Sequence, residues 1–180
     1  MHFTLVSTVV ALAASTSVSA RHGAPLRERA TSPSTCSPET SSYLWNVLAP
    51  GHKMAWQAHN KYTTKVKTRF TEDDSQETNV TWNLVNVEGS KYKIQTADGS
   101  LCLQTQGEEG KNIASYYCST DASVFDITCT SCGTSSCGDP FASSCTVVGT
   151  DDLCVERKDG KLISETCDGG KAQKWDFVLA

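Results

Sequence analysis

Apolar and polar positions alternate with a period of two over much of the chain after residue 36. Trp82 and Leu84 follow Val80, with Val85 and Val87 just beyond; Tyr92 is followed by Ile94; Val147 stands in a similar run, and the tail carries Trp175, Phe177 and Leu179. Period two is the signature of half-buried strands, and almost no stretch shows the 3.6-residue period of an amphipathic helix. Gly89, Asp98-Gly99, Gly107, Gly110, Gly149, Asp159-Gly160 and Asp168-Gly169-Gly170 interrupt the pattern at intervals of about ten residues, where turns belong. Short strands at this spacing predict an all-β sandwich or barrel. Lys65, Lys67 and Arg69 alternate with Val66, Thr68 and Phe70. That pattern reads as the wet face of one strand, with a functional basic patch as the alternative.

The strand pattern also repeats at longer range. Trp82-Asn83-Leu84-Val85, Phe125-Asp126-Ile127-Thr128 and Trp175-Asp176-Phe177-Val178 share one form, with successive aromatics 43 and 50 residues apart. Ahead of the second and third endings, Leu101-Cys102-Leu103 leads to Cys118 and Leu153-Cys154-Val155 leads to Cys167. The first copy has Met54-Ala55-Trp56 and a later Phe70 in corresponding places. A unit that cannot bury its apolar face alone can do so when three copies stack around an axis.

The last copy, with Leu153-Cys154-Val155, Ile163 to Cys167 and Gln173-Lys174-Trp175-Asp176-Phe177, resembles the QxW repeat of the ricin B-type lectin family. The other two copies have Val80 and Ser123 at the Gln position, and the middle one has Phe125 for the Trp. The resemblance implies a β-trefoil: three four-stranded repeats closing a small barrel, with Trp82, Phe125 and Trp175 as core plugs. Repeats are expected over about 36–85, 86–128 and 141–180, making 36–180 the folded domain. The resemblance and the matched half-repeats imply disulfides Cys102 to Cys118 and Cys154 to Cys167.

Nine cysteines in 180 residues point to an oxidising compartment. Five are left over: Cys36, Cys129, Cys132, Cys137 and Cys145, and the sequence does not choose among their pairings. Residues 129–140, from Cys129 to Pro140, form an insertion relative to the other repeats. A disulfide-stapled loop is one reading of it and a four-thiolate zinc knuckle the other; the first is preferred, so no metal or cofactor is expected. Residues 1–20 read as a signal peptide, with an apolar run from Leu5 to Ala14 and small residues at Val18-Ser19-Ala20. The next segment, 21–35, carries Arg21, Arg27 and Arg29 against Glu28 and reads as a disordered leader or a pro-segment. The expected product is secreted, with no membrane span.

The formal net charge is −4, and setting aside residues 1–29 makes the remainder more acidic. This balance argues against nucleic acid as a partner, since neutralising phosphates takes a surplus of cations. Catalytic motifs such as G-x-S-x-G, H-E-x-x-H and a Walker loop are missing. The doublets Asp73-Asp74, Glu108-Glu109 and Asp151-Asp152 sit at polar turns and read as solvated charge, so no enzymatic activity is expected.

Family members bind sugar through an acidic or amide acceptor near the repeat's first cysteine, an aromatic ring two residues before the second, and polar groups before the closing aromatic. Carried over, the middle copy offers Gln104, Tyr116 and nearby Asn112, and the last copy offers Glu156 and Gln173, with Glu165 where a ring is expected. Gln173 has a purely structural alternative, bonding backbone within the barrel. The first copy has Trp56 and Gln57 near the right place. Glycans or glycoproteins are therefore the expected partners, and a protein partner meeting the Cys129 to Cys145 loop is the alternative. Asn79-Val80-Thr81 is a sequon, so Asn79 is a candidate N-glycosylation site.

Overall fold

The architecture was taken from a computed structural model, which describes residues 35–39, 43–51, 53–58, 66–72, 81–118, 124–134 and 139–180. For 66–72 and Pro140 the backbone alone is described. These residues lie in a unit running from Ser32 to Ala180. Lys65, Asp73, Asp74, Asn79, Val80, Ser123 and Cys137 fall outside the described residues, as do the expected signal peptide and most of the leader.

Strands β1 (Leu44–Leu48), β2 (Met54–Ala58), β3 (Val66–Glu72) and β4 (Thr81–Glu88) form repeat A. Repeat B holds β5 (Lys91–Thr96), β6 (Leu101–Gln104), β7 (Ala114–Tyr117) and β8 (Val124–Thr128). After β9 (Ser131–Thr134), repeat C holds β10 (Pro140–Gly149), β11 (Cys154–Lys158), β12 (Lys161–Glu165) and β13 (Trp175–Leu179). The first and fourth strands of each repeat pair antiparallel around a ring, β1 with β4, β4 with β5, β5 with β8, β8 with β10, β10 with β13 and β13 back to β1. The ring is closed, so its strands leave no unpaired edge. The middle strands form the hairpins β2–β3, β6–β7 and β11–β12. Those hairpins meet one another through β3 with β7, β3 with β12 and the bridge of Asn112 to Ile163. The result is a β-trefoil, as the resemblance implied, with β9 as an additional strand that was not expected.

Inward residues stack in threes, because equivalent strand positions face one axis. Trp82, Phe125 and Trp175 are each 0% exposed, and beside them lie the buried triples Leu84, Ile127, Phe177 and Val47, Ile94, Val147. Trp82 Nε1 donates to Trp56 O at 3.3 Å, and Trp175 Nε1 donates to Val155 O at 3.0 Å. The shared bond places Trp56 as the repeat A counterpart of Val155, and Trp56 packs edge-to-face on both other indoles, with ring centres 6.3 and 5.1 Å apart. Repeat A therefore substitutes buried aromatic packing for the disulfides of its sisters.

Cys102–Cys118 and Cys154–Cys167 are bonded as expected. Of the five remaining cysteines, Cys36 pairs with Cys132 and Cys129 with Cys145. These thiols are consumed in disulfides, which removes the zinc knuckle's ligands. Trp45 and Tyr92 stand across from Trp82 and Phe125, and Cys145 takes the same place opposite Trp175. Its bond to Cys129 occupies the space that large rings fill in the other repeats. The segment Thr35–Glu39 lies along the barrel as a strap: Cys36 and Cys129 exchange backbone bonds at 3.0 and 2.8 Å, and Tyr92 Oη donates to Pro38 O at 2.8 Å. Burial lifts the Tyr92 phenol above its ordinary range, which suits a group held as a donor. The inserted residues are less of a loop than expected, for β9 folds back on β10 from Ser131↔Ser143 to Thr134↔Pro140.

Candidate saccharide site

Register aligns the three hairpins residue by residue. Ala55, Cys102 and Cys154 are equivalent, so Gln57, Gln104 and Glu156 occupy the position where an acceptor is expected. Opposite the first of each trio stand Thr71, Tyr116 and Glu165. Repeat B alone has an aromatic there.

In repeat C, Glu156 is half-buried on β11 and is held by Gln173 from the 3-10 turn Lys171–Gln173. Gln173 Nε2 donates to Glu156 Oε2 at 2.8 Å and to Thr166 O at 2.9 Å. Its Oε1 accepts from the backbone N–H groups of Asp168 and Gly169 at 3.0 and 3.3 Å. Both amide protons and both lone pairs are thereby used, and the side chain is 1% exposed. Gln173 consequently has no capacity left for a ligand. Its geometry orients the Glu156 carboxylate and fixes the 166–169 loop, whose Gly169 has φ +73°, the left-handed region that favours glycine.

Glu165, at the ring position, pairs instead with Lys158 at 2.9 Å. The hydrogen bond and charge of Glu165 raise the Lys158 ammonium above its ordinary range. Repeat B reaches across to the same edge: Glu109 Oε1 accepts from Thr166 Oγ1 at 2.7 Å and Thr166 N at 3.2 Å, and these bonds hold the Glu109 carboxyl below the usual range. The clasp between Glu109 and Thr166 joins residues 57 apart and was invisible in the sequence. Glu109 looked like solvated turn charge because its partner belongs to another repeat.

In repeat B, Gln104 and Tyr116 lie on one face of the β6–β7 hairpin as diagonal neighbours, since Gln104 pairs with Ala114 and Cys102 with Tyr116. Gln104 is buried and Tyr116 half-buried. Tyr117, on the other face, is the ring in open solvent, 62% exposed. Asn112 is half-buried at the seam with repeat C; its backbone bridges to Ile163, and its carbonyl accepts from Gln106 Nε2 at 2.8 Å. Gln57 of repeat A is buried at 8% exposure. The acceptor with the greatest access in the trio is thus Glu156, and the ring lies one repeat away from it.

No protein-family model matches the chain, and a search of curated proteins finds no relative. Solved structures with the same fold do match. A designed threefold-symmetric protein, ThreeFoil, superposes with TM-score 0.60 at 16% identity, covering 75% of this chain and 97% of its own. The β-trefoil BEL gives TM-score 0.57 at 8% identity over 80% of this chain and 97% of its own. A Polyporus squamosus lectin, solved bound to a human-type influenza-binding epitope, Neu5Aca2-6Galb1-4GlcNAc, gives TM-score 0.55 at 11% identity over 77% of this chain and 50% of its own. At these identities the likeness establishes the β-trefoil fold.

Proposed function

We propose that the protein is a secreted, non-catalytic carbohydrate-binding β-trefoil of the ricin B type, using the outer hairpin surfaces of repeats B and C. The observation that carries the reading is the Gln173 clamp. A fully bonded buried amide fixes a half-buried carboxylate on the hairpin, which is what a shallow polyol site asks of its acceptor. Tyr116, beside Gln104, supplies a face for sugar C–H groups in repeat B. The lectin among the structural neighbours, solved bound to a glycan epitope, supports the same class of ligand. Four disulfides, with no helix among the described residues long and apolar enough to cross a membrane, support an extracellular setting. Glycosylation at Asn79 belongs to the same reading.

A glycan array with the oxidised protein tests the proposal. Binding competed by simple sugar and weakened by Tyr116→Ala or Glu156→Ala supports it, and silence over a broad array discards it. A second reading rests on β9, which pairs only with β10 among the described residues and so offers a strand edge beside the Cys36–Cys132 bond. Recognition of a protein partner, such as an inhibited protease, that is lost on deleting residues 131–138 favours that interaction protein over a lectin.

A further inference from the structure

Away from the hairpins, the outer face of β8 forms the floor of an open groove of about 460 Å3. Lys91 of β5 lines one side, Val124, Asp126 and Thr128 the floor, and Val148 with Asp152 the other side. Ligand pockets begin near about 300 Å3, so the groove has room for one or two sugar rings.

Comparison of the repeats shows what is special here. Asp126, Asn83 and Asp176 are equivalent, each following its core aromatic. In repeat C, the Asp176 carboxylate is committed to Ser144 N at 2.8 Å, and neighbouring Lys174 is committed to Thr146 Oγ1 at 2.7 Å. In repeat B, Asp126 receives a single long bond from Thr128 Oγ1 at 3.4 Å, leaving acceptor capacity facing the groove.

The turn above the groove departs from its counterpart in the same direction. In repeat B, Gly99 N closes the β5–β6 turn on Thr96 O, with Gly99 at φ +71°. In repeat C, Asp152 N closes the β10–β11 turn on Gly149 O, with Asp152 at φ +60°. Aspartate is one of the few residues with a side chain that enters the left-handed region readily, so the turn keeps its form with a carboxylate in place of glycine. Here it places an exposed carboxylate on the groove.

We infer that this groove is a second saccharide site, taking a neutral hexopyranose unit. Asp126 and Asp152 accept from hydroxyls, the Lys91 ammonium donates to a ring or hydroxyl oxygen, and Val124 with Val148 meets the sugar's C–H surface. Two carboxylates against one ammonium disfavour acidic sugars. The site shares no residue with the hairpins, so it stands or falls apart from the function proposed above.

The test is an amide-resolved NMR titration of the full oxidised chain with methyl β-galactopyranoside, methyl β-glucopyranoside and methyl α-mannopyranoside, and separately with N-acetylneuraminic acid. Saturable shifts at residues 124–128 and 149–152, whether or not the hairpins also respond, are expected from at least one neutral glycoside, with none there from the acid. Asp152→Gly should weaken that binding at least tenfold while the melting temperature holds or rises, and Asp126→Asn should weaken it about tenfold. No shift in the groove with any neutral glycoside, equal shifts with the acid, or unchanged affinity in Asp152→Gly would overturn the inference. Shifts confined to residues 102–104 and 114–117 would also overturn it while upholding the hairpin site.

Discussion

The β6–β7 and β11–β12 hairpins are built alike and equipped differently. Both are closed by a disulfide and both carry a polar side chain two residues after its first cysteine. Repeat B keeps the ring, Tyr116, over a buried amide; repeat C keeps the carboxylate, Glu156, clamped by Gln173, and fills the ring position with the Glu165–Lys158 pair. The difference teaches that a hairpin's backbone can be held constant while the side chains it presents change. Staple and core fix the hairpin backbone, and the two strand positions above it vary without disturbing either.

Breaking the staples should leave this comparison symmetric. Replacing both cysteines of either hairpin with alanine is expected to lower stability by about 3 kcal/mol, since the closed loops are of similar length. Thermal unfolding of the two variants should differ little; a much larger loss in one would mean its hairpin depends on more than the staple. The clamp should then separate them. Gln173→Ala strands the Glu156 carboxylate, two backbone N–H groups and the Thr166 carbonyl, a loss of about 2–3 kcal/mol in chemical denaturation, and it should abolish saccharide binding through repeat C.

A graft sharpens the contrast. Glu165→Tyr gives repeat C both ring and acceptor, and calorimetry should find its affinity for a neutral glycoside raised about tenfold, or about 1.4 kcal/mol. The lost surface pair with Lys158 should cost under about 1 kcal/mol. The smallest effect concerns the seam between these repeats. The bonds from Thr166 depress the Glu109 carboxyl, so their stabilisation is fully present at pH above the ordinary carboxyl range and is lost as pH falls through the lowered value. Hydrogen exchange at the Thr166 amide should therefore stay slow at neutral pH and quicken, relative to its intrinsic rate, only in acid, and Glu109→Gln should flatten that profile.

How much of this was readable in the chain depends on the distance over which each device acts. Trp82, Phe125 and Trp175 and the two hairpin disulfides were legible because each lies in a motif that recurs within a repeat. The alignment of Gln57 with Gln104 and Glu156 was half legible, since repeat A replaces the guiding cysteine with Ala55. Cys36–Cys132 was not, because a bond spanning 96 residues depends on where the barrel brings the strap. The structural role of Gln173 was legible as one of two readings, while its bond to Glu156 was not: spacing marks the motif, and only the loop geometry shows where its four hydrogen bonds go. Asp152 read as loop charge because the groove is assembled from three segments that are distant in the chain.

The pairing of β1 with β13 has a consequence for how the molecule comes into being. Trp45 to Leu48 bond to Asp176 to Leu179, the first strand against the last. During synthesis, the ring therefore stays open until β13 has emerged, and until then β1 and β10 each lack a neighbour on one side. Such late, long-range closure makes for slow folding and a vulnerable nascent chain, so production of this protein should be governed by the machinery that guards unfinished chains.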